Sequence, residues 1–432
     1  MALILAVMSW GYFFSCALSL LNVRHMESRA AGGLPAGLRD WIEPERLVSM
    51  VAYNKANAWL GCWGGGLGLA VAAAILLTGL LPWLARELSE TSWPLWLQGM
   101  AALFVPLLIL HLSGLPASLA SSFGIEKRFG FSTITPKIWA ADQAKGLLVS
   151  GLLMGLLFFG FYIFIGWLGN RWWLPAWGLV AVFSLLIIFV APVWLAPLFN
   201  KFAPVADQEL KESILELAKK ARFPLAGVFQ MDASRRSTHD NAYFTGLGRT
   251  RRIVFYDTML RSYRQGELLA VLGHEIGHWK LGHIPRMLAA SVVFSGAALF
   301  LTALVLSSPW FYRAIGLYDI YSKIGLSGPV VGLALVVASM LFSPLGLLFS
   351  PLTTWLSRQH EYQADAFSLK LRPEPGDLKS ALRRLGDRNL SNLFPHPWYV
   401  AFHYSHPPLL ARLEAIDNDN NTKLNHQDTK AL

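Results

Sequence analysis

The run from Leu268 to Trp279 holds two histidines four residues apart, His274 and His278, with Glu275 directly after the first. On a helix, residues four apart share a face, so both imidazoles can converge on one ion. Glu275 points to a neighbouring face, where its carboxylate reaches a metal-held water without occupying a coordination position. A catalytic zinc takes three protein ligands and keeps a fourth position for that water. Zinc brings the water's pKa toward neutrality, and the glutamate takes its proton during attack on a peptide carbonyl. Two incidental histidines on a charged helix face would give the same pattern in roughly one chain of this size in a hundred. The setting argues against coincidence, because the helix is otherwise apolar and an ionisable trio there is costly unless paired or ligating.

One more ligand is required, and the segment Arg358-Gln359-His360-Glu361-Tyr362-Gln363-Ala364-Asp365 offers it. If the segment is helical, Glu361 and Asp365 share a face. Glu361 is then the third zinc ligand, and Asp365 accepts the free N–H of a ligand histidine. His360 is the rival ligand, on a different face from Asp365. The expected cofactor is one Zn(2+) per chain.

The elements that must position these groups lie partly in a membrane. The 432 residues are 54% hydrophobic and 15% charged, with 17 Trp and 26 Phe; an ordinary soluble domain is about 25% charged. A net charge of +10 raises nucleic acid as a partner, but the basic residues form no arm or stripe, which excludes it. Seven apolar stretches suffice to cross a hydrocarbon core, near Ala2–Leu21, Ala58–Leu81, Leu95–Leu115, Gly146–Leu168, Trp177–Leu195, Met287–Leu306 and Gly328–Phe349. The first starts apolar without a basic leader, so it reads as an uncleaved span. His111, Ser113 and Pro116 interrupt the third. The run Gly64–Gly66 in the second permits close helix packing. Cys16 and Cys62, both inside apolar stretches, read as small core residues and not as a disulfide or metal pair.

Loop charge sets the orientation. One side receives Arg24, Arg29, Arg39, Arg46, Lys55, Lys127, Arg128, Lys137 and Lys145, together with both long polar stretches; the other has Arg86, Arg171, Arg313 and Lys323. The rich side is expected to be cytoplasmic. The chain then divides into five spans (1–199), a first polar part (200–286), spans six and seven (287–352), a second polar part (353–416) and a disordered tail (417–432) rich in Asn, Asp and Lys. The polar parts read as one domain split by the last helical hairpin. Within it Leu210–Arg222 and Glu267–Trp279 read as helices. Val228–Met231, Asn241–Thr245 and Ile253–Tyr256 read as strands, with a turn at Gly246 and Gly248.

The chain resembles the type I CAAX prenyl proteases, integral-membrane zinc endopeptidases. Beyond the HExxH, the resemblance rests on Glu126-Lys127-Arg128-Phe129-Gly130-Phe131, Pro197-Leu198-Phe199-Asn200-Lys201-Phe202, the run from Ser234 to Phe244, Arg252–Thr258 and the run from His403 to Leu413. It covers the chain from the first span to about Ile416. It implies an α-helical polytopic protein with seven helices around a chamber and a split zinc-protease domain at the cytoplasmic end. It also implies that Asn241 and Ala242 lie on an edge strand that pairs with substrate backbone. His406 and Arg412 would then sit near the scissile bond, polarising the carbonyl or holding the oxyanion. His239, His283, His396 and His403 read as structural or solvent-facing.

These readings give a membrane zinc endopeptidase acting on a peptide or protein substrate. The substrate is either a prenylated C-a-a-X terminus or a misfolded membrane protein trimmed for quality control. The membrane is the inner membrane if the source is bacterial, or the endoplasmic reticulum if it is eukaryotic. A seven-helix transporter or receptor with a structural metal is the alternative of another class; the few ionisable residues in the spans argue against it.

Overall fold

The computed structural model describes residues 1–428 apart from 35, 40 and 247–250, with backbone alone for 36, 37 and 419–428. The helices that build the membrane body and the site are α1 (Ala2–Ala31), α2 (Pro44–Leu77), α3 (Leu95–Arg128), α4 (Pro136–Arg171), α5 (Trp173–Phe199), α6 (Gln208–Lys220), α7 (Gln265–Lys280), α8 (His283–Leu306), α9 (Gly328–Leu348), α10 (Ser350–Leu371), α11 (Pro375–Arg388) and α12 (Leu409–Asp428). Seven of them, α1–α5, α8 and α9, are long and apolar enough to cross a membrane. Their outward faces carry large apolar side chains such as Leu148, Leu152, Trp167 and Val182, a surface suited to lipid and not to water. α9 differs, with Val330, Leu333, Ala334 and Val337 fully enclosed by neighbouring helices.

Two expectations about the spans are corrected. α3 does not end at Leu115 but runs on to Arg128, with Pro106 and Pro116 inside it and a wider π-type turn at Ala120–Ile125. Ser113 is no breaker here, because its hydroxyl donates to the Leu110 carbonyl at 2.7 Å, within its own helix. Cys16 and Cys62 are disulfide-bonded, with Cα atoms 5.4 Å apart. The glycine run of α2 makes this approach possible: Gly65 and Gly66 lie against the Tyr12 ring of α1, and the Tyr12 hydroxyl donates to the Cys62 carbonyl.

The polar domain has a four-stranded sheet in the order β1-β2-β4-β3: β1 (Phe202–Pro204), β2 (Gly227–Met231), β3 (Ala242–Thr245) and β4 (Arg252–Tyr256). β2 and β4 run parallel, and the outer pairs are antiparallel. Composition did not reveal β1: three residues ending in Pro204 carry no alternation, and proline belongs at a sheet edge. Gly246 takes φ +85°, as a turn glycine does; Gly248 lies outside the described residues. Ile253 and Phe255 face α6 and α7, while Val254 packs with Met231 on the opposite face.

The two polar stretches share one core. Ile214, Phe255, Leu272 and Ile276 from the first pack with Leu371 and Ala381 from the second. His239 ties this unit to the membrane body: its ring lies 2.9 Å from Asn389 Oδ1 and 3.0 Å from Glu126 Oε2, and it stacks on Phe131. The final helix passes residue 417 and reaches Asp428, where composition had suggested a disordered tail from 417. Asp417 is paired with Lys379 of α11, which anchors the helix at that point.

Candidate metal centre

α7 begins where Glu267, fully buried, accepts the Arg264 backbone N–H at 2.8 Å, closing the first turn of the helix. It then passes unusually close to α10, and two glycines allow it. A Cβ on Gly273 would lie 2.7 Å from Ser368 Oγ, and one on Gly277 only 3.0 Å from Ala364 Cα. Each glycine stands one residue before a histidine, so the close contact brings both imidazoles against the α10 face that carries Glu361 and Asp365.

The structure brings His274, His278 and Glu361 together, with one ligand atom of each within 4.8 Å of the others. The His274 and His278 Nε2 atoms are 3.1 Å apart. Glu361 places Oε2 3.4 Å from the first and Oε1 3.2 Å from the second. Glu361 Oε2 is buried and has no hydrogen-bond partner, an orphaned carboxylate oxygen aimed into a cluster of imidazole nitrogens. Burial opposes ionisation of Glu361, but the His274 and His278 imidazoles beside it outweigh this and hold the carboxyl well below the usual range. His360 is outside this cluster; its ring stacks on His283.

His274 Nδ1 donates to Asp365 Oδ1 at 2.7 Å. Arg412 grips the same carboxylate from the far side, Nε to Oδ2 at 2.8 Å and Nη2 to Oδ1 at 2.7 Å. Asp365 is 4% exposed. Its burial favours the neutral acid, yet Arg412 and His274 together hold its pKa at about 2. Arg412 Nη1 stays free of this fork and lies 3.7 Å from Glu361 Oε2. His406 reaches Glu361 Oε1 with Nε2 at 3.4 Å from an exposed position. Glu275 lines the cavity beside the cluster, and its burial pushes its carboxyl above the usual range.

That cavity, about 130 Å³, is walled by Asn241 and Ala242 at the start of β3, with Tyr263, Glu275, His406 and Arg412. β3 is an edge strand, hydrogen-bonded to β4 alone. A second hollow of about 410 Å³ adjoins it, and Leu382, Leu385, His406 and Arg412 line both.

Residues 204–420 match peptidase family M48, and residues 22–201 match the CAAX prenyl protease N-terminal unit of five membrane helices. The chain belongs to the CAAX prenyl protease family. It is similar to CAAX prenyl protease 1 of Saccharomyces cerevisiae, 34% identical over 94% of this chain and 93% of that protein. It is also similar to the CAAX prenyl protease 1 homolog of Arabidopsis thaliana, 33% identical over 92% and 94%. The crystal structure of S. mikatae Ste24p superposes with a TM-score of 0.86 at 30% identity, covering 96% of this chain and 98% of that one. As a member of the CAAX prenyl protease family, the protein is a multi-pass membrane metalloendopeptidase.

Two features of the centre escaped the sequence reading. The spacing Gly-His-Glu-Ile-Gly-His carried a signal in its glycines, which repeat every fourth residue and mark a face in close contact. His283, expected to be structural or solvent-facing, is the former at 1% exposed; what the spacing did not show is that its Nδ1 lies 3.0 Å from His278 Nδ1.

Proposed function

We propose that the chain is a zinc endopeptidase in which His274, His278 and Glu361 hold the metal, Glu275 is the general base, and the substrate is a membrane-anchored C-a-a-X terminus. The observation that carries this is the His274–His278–Glu361 triangle with its orphaned Glu361 oxygen. A tetrahedral zinc with bonds of about 2.0–2.1 Å sets its ligand atoms roughly 3.3–3.4 Å apart; here the two Nε2 atoms are 3.1 Å apart, and the Glu361 carboxylate approaches the first through Oε2 at 3.4 Å and the second through Oε1 at 3.2 Å. Two imidazoles and one carboxylate also form a familiar catalytic zinc set.

Zinc supplies a Lewis acid that acidifies water and polarises a carbonyl. Glu275, lining the cavity beside the cluster, takes the proton of the attacking water and delivers it to the departing amine. Asp365 fixes the His274 ring with Nε2 toward the centre. Arg412 Nη1 supplies positive charge, and His406 Nε2 an N–H group, where the carbonyl oxygen becomes an anion. Asn241 and Ala242 offer the free edge of β3 to an extended substrate. The names of the similar proteins, CAAX prenyl protease 1 and its homologs, support a prenylated terminus as the substrate.

The test separates metal binding from chemistry. Glu275→Gln is expected to keep about one zinc per chain while cleavage of a farnesylated C-a-a-X peptide falls by orders of magnitude. Glu361→Ala should lose both metal and cleavage. A chelator should abolish wild-type activity, and added zinc should restore it. Full activity in both variants would overturn the reading. Equal cleavage of farnesylated and unmodified peptides would favour the quality-control substrate.

A further inference from the structure

Each zinc-facing histidine needs a hydrogen-bond acceptor for its other nitrogen, since that bond fixes both the tautomer and the tilt of the ring. His274 has Asp365. His278 turns Nε2 toward His274 and Glu361, so its Nδ1 must carry the proton. The group facing that Nδ1 is no carboxylate but the ring nitrogen Nδ1 of His283, 3.0 Å away. His283 Nε2 in turn lies 3.0 Å from Gln363 Oε1.

Only one proton arrangement satisfies all three groups. His278 Nδ1–H donates to an unprotonated His283 Nδ1, so the His283 proton sits on Nε2 and goes to the Gln363 carbonyl oxygen. Turning the Gln363 amide round would face its NH₂ toward His283 and force the His283 proton onto Nδ1, against the proton of His278. On the reading that zinc sits among His274, His278 and Glu361, we infer that His283, oriented by Gln363, is the positioning residue for ligand His278.

Local structure holds the relay in place. α7 ends at Lys280, Gly282 takes φ +69°, a left-handed conformation suited to glycine, and His283 opens α8. The buried His283 ring is further clamped by stacking on His360 at 4.1 Å and 10°. Gln363 stands on α10, two residues after Glu361, so the helix that brings the carboxylate also brings the end of the relay. A neutral imidazole here adds no negative charge, in contrast to the carboxylate behind His274.

The experiment is zinc affinity, measured by competition with a chromophoric chelator on the full chain in detergent. His283→Leu keeps the volume but removes the acceptor, and affinity is expected to fall by about 10–100-fold, the usual effect of losing such a partner. His283→Asn places Oδ1 near the former Nδ1 and should stay within about threefold of wild type. Unchanged affinity in His283→Leu overturns the inference. So does an equal loss in His283→Asn, which would mean that packing matters and the acceptor does not. Size-exclusion profiles of the metal-free proteins check folding. If His283→Leu fails to fold, Gln363→Leu against Gln363→Glu decides: weakened zinc binding in the first and near wild-type binding in the second supports the relay, and equal affinity overturns it. A wild-type chain without zinc affinity would instead sink the zinc reading itself.

Discussion

Asp365 and Arg412 are opposite charges that neither could hold alone in the interior. Both are more than nine-tenths buried, and the guanidinium meets the carboxylate through two parallel bonds of 2.7 and 2.8 Å. Removing one partner of such a pair is costly because the other charge is left buried without compensation. Arg412→Ala should therefore lower stability by about 3–5 kcal/mol, and Asp365, released from its cation, should take up a proton and cease to orient His274. Zinc affinity is then expected to drop about 10–100-fold. Arg412→Lys should recover little of this, since an ammonium cannot reproduce the two-pronged geometry; parallel zinc titrations and melting curves of the two variants check it. Nothing in the residues near Arg412 suggested this pairing. The link to Asp365 joins positions far apart in the chain, and only the family resemblance drew attention to Arg412 beforehand.

Among the elements, α7 and α10 decide whether a centre exists at all. Their contact depends on Gly277, where an added methyl would press on the backbone of Ala364 and on Phe367. A backbone cannot swing aside as a side chain can, so Gly277→Ala should shift α10 outward, cost roughly 1–3 kcal/mol and reduce bound zinc, read by metal analysis of purified protein. Gly376→Ala, with nothing within 4 Å, serves as the control and should leave zinc content unchanged. The seven spans, α6, α7 and three of the four strands were legible because apolar length, a helical period or a short apolar run marks them in the sequence: the apolar face of Ile214, Leu217 and Ala218 in α6, or the buried run Ile253–Phe255 in β4; α11 was not. The disulfide between Cys16 and Cys62 was not, because it reports the distance between two helices, and apolar composition says which segments enter the membrane but not which ones touch. β1 escaped for lack of length, and the extent of α12 because polar residues on a helix look the same as polar residues off it.

At the scale of the whole molecule, seven crossings put the two polar stretches on one side of the membrane, and the shared core of Leu272, Ile276, Leu371 and Ala381 requires that arrangement. Basic residues on that side favour the cytoplasm. A reporter fused after Leu432, or placed near Arg39, should register as cytoplasmic, and one near Arg313 as external. The same side for Leu432 and Arg313 would break the seven-span topology. The hairpin of α8 and α9, which stands between α7 and α10 in the chain, has a consequence for how the enzyme is made. A nascent chain that has emerged only as far as α7 displays two histidines and a glutamate with nothing opposite them. Glu361 arrives after both remaining helices have been threaded into the bilayer. With Glu361 as the proposed third ligand, a copy stalled halfway through insertion would lack a complete metal centre and could not yet hydrolyse the proteins around it.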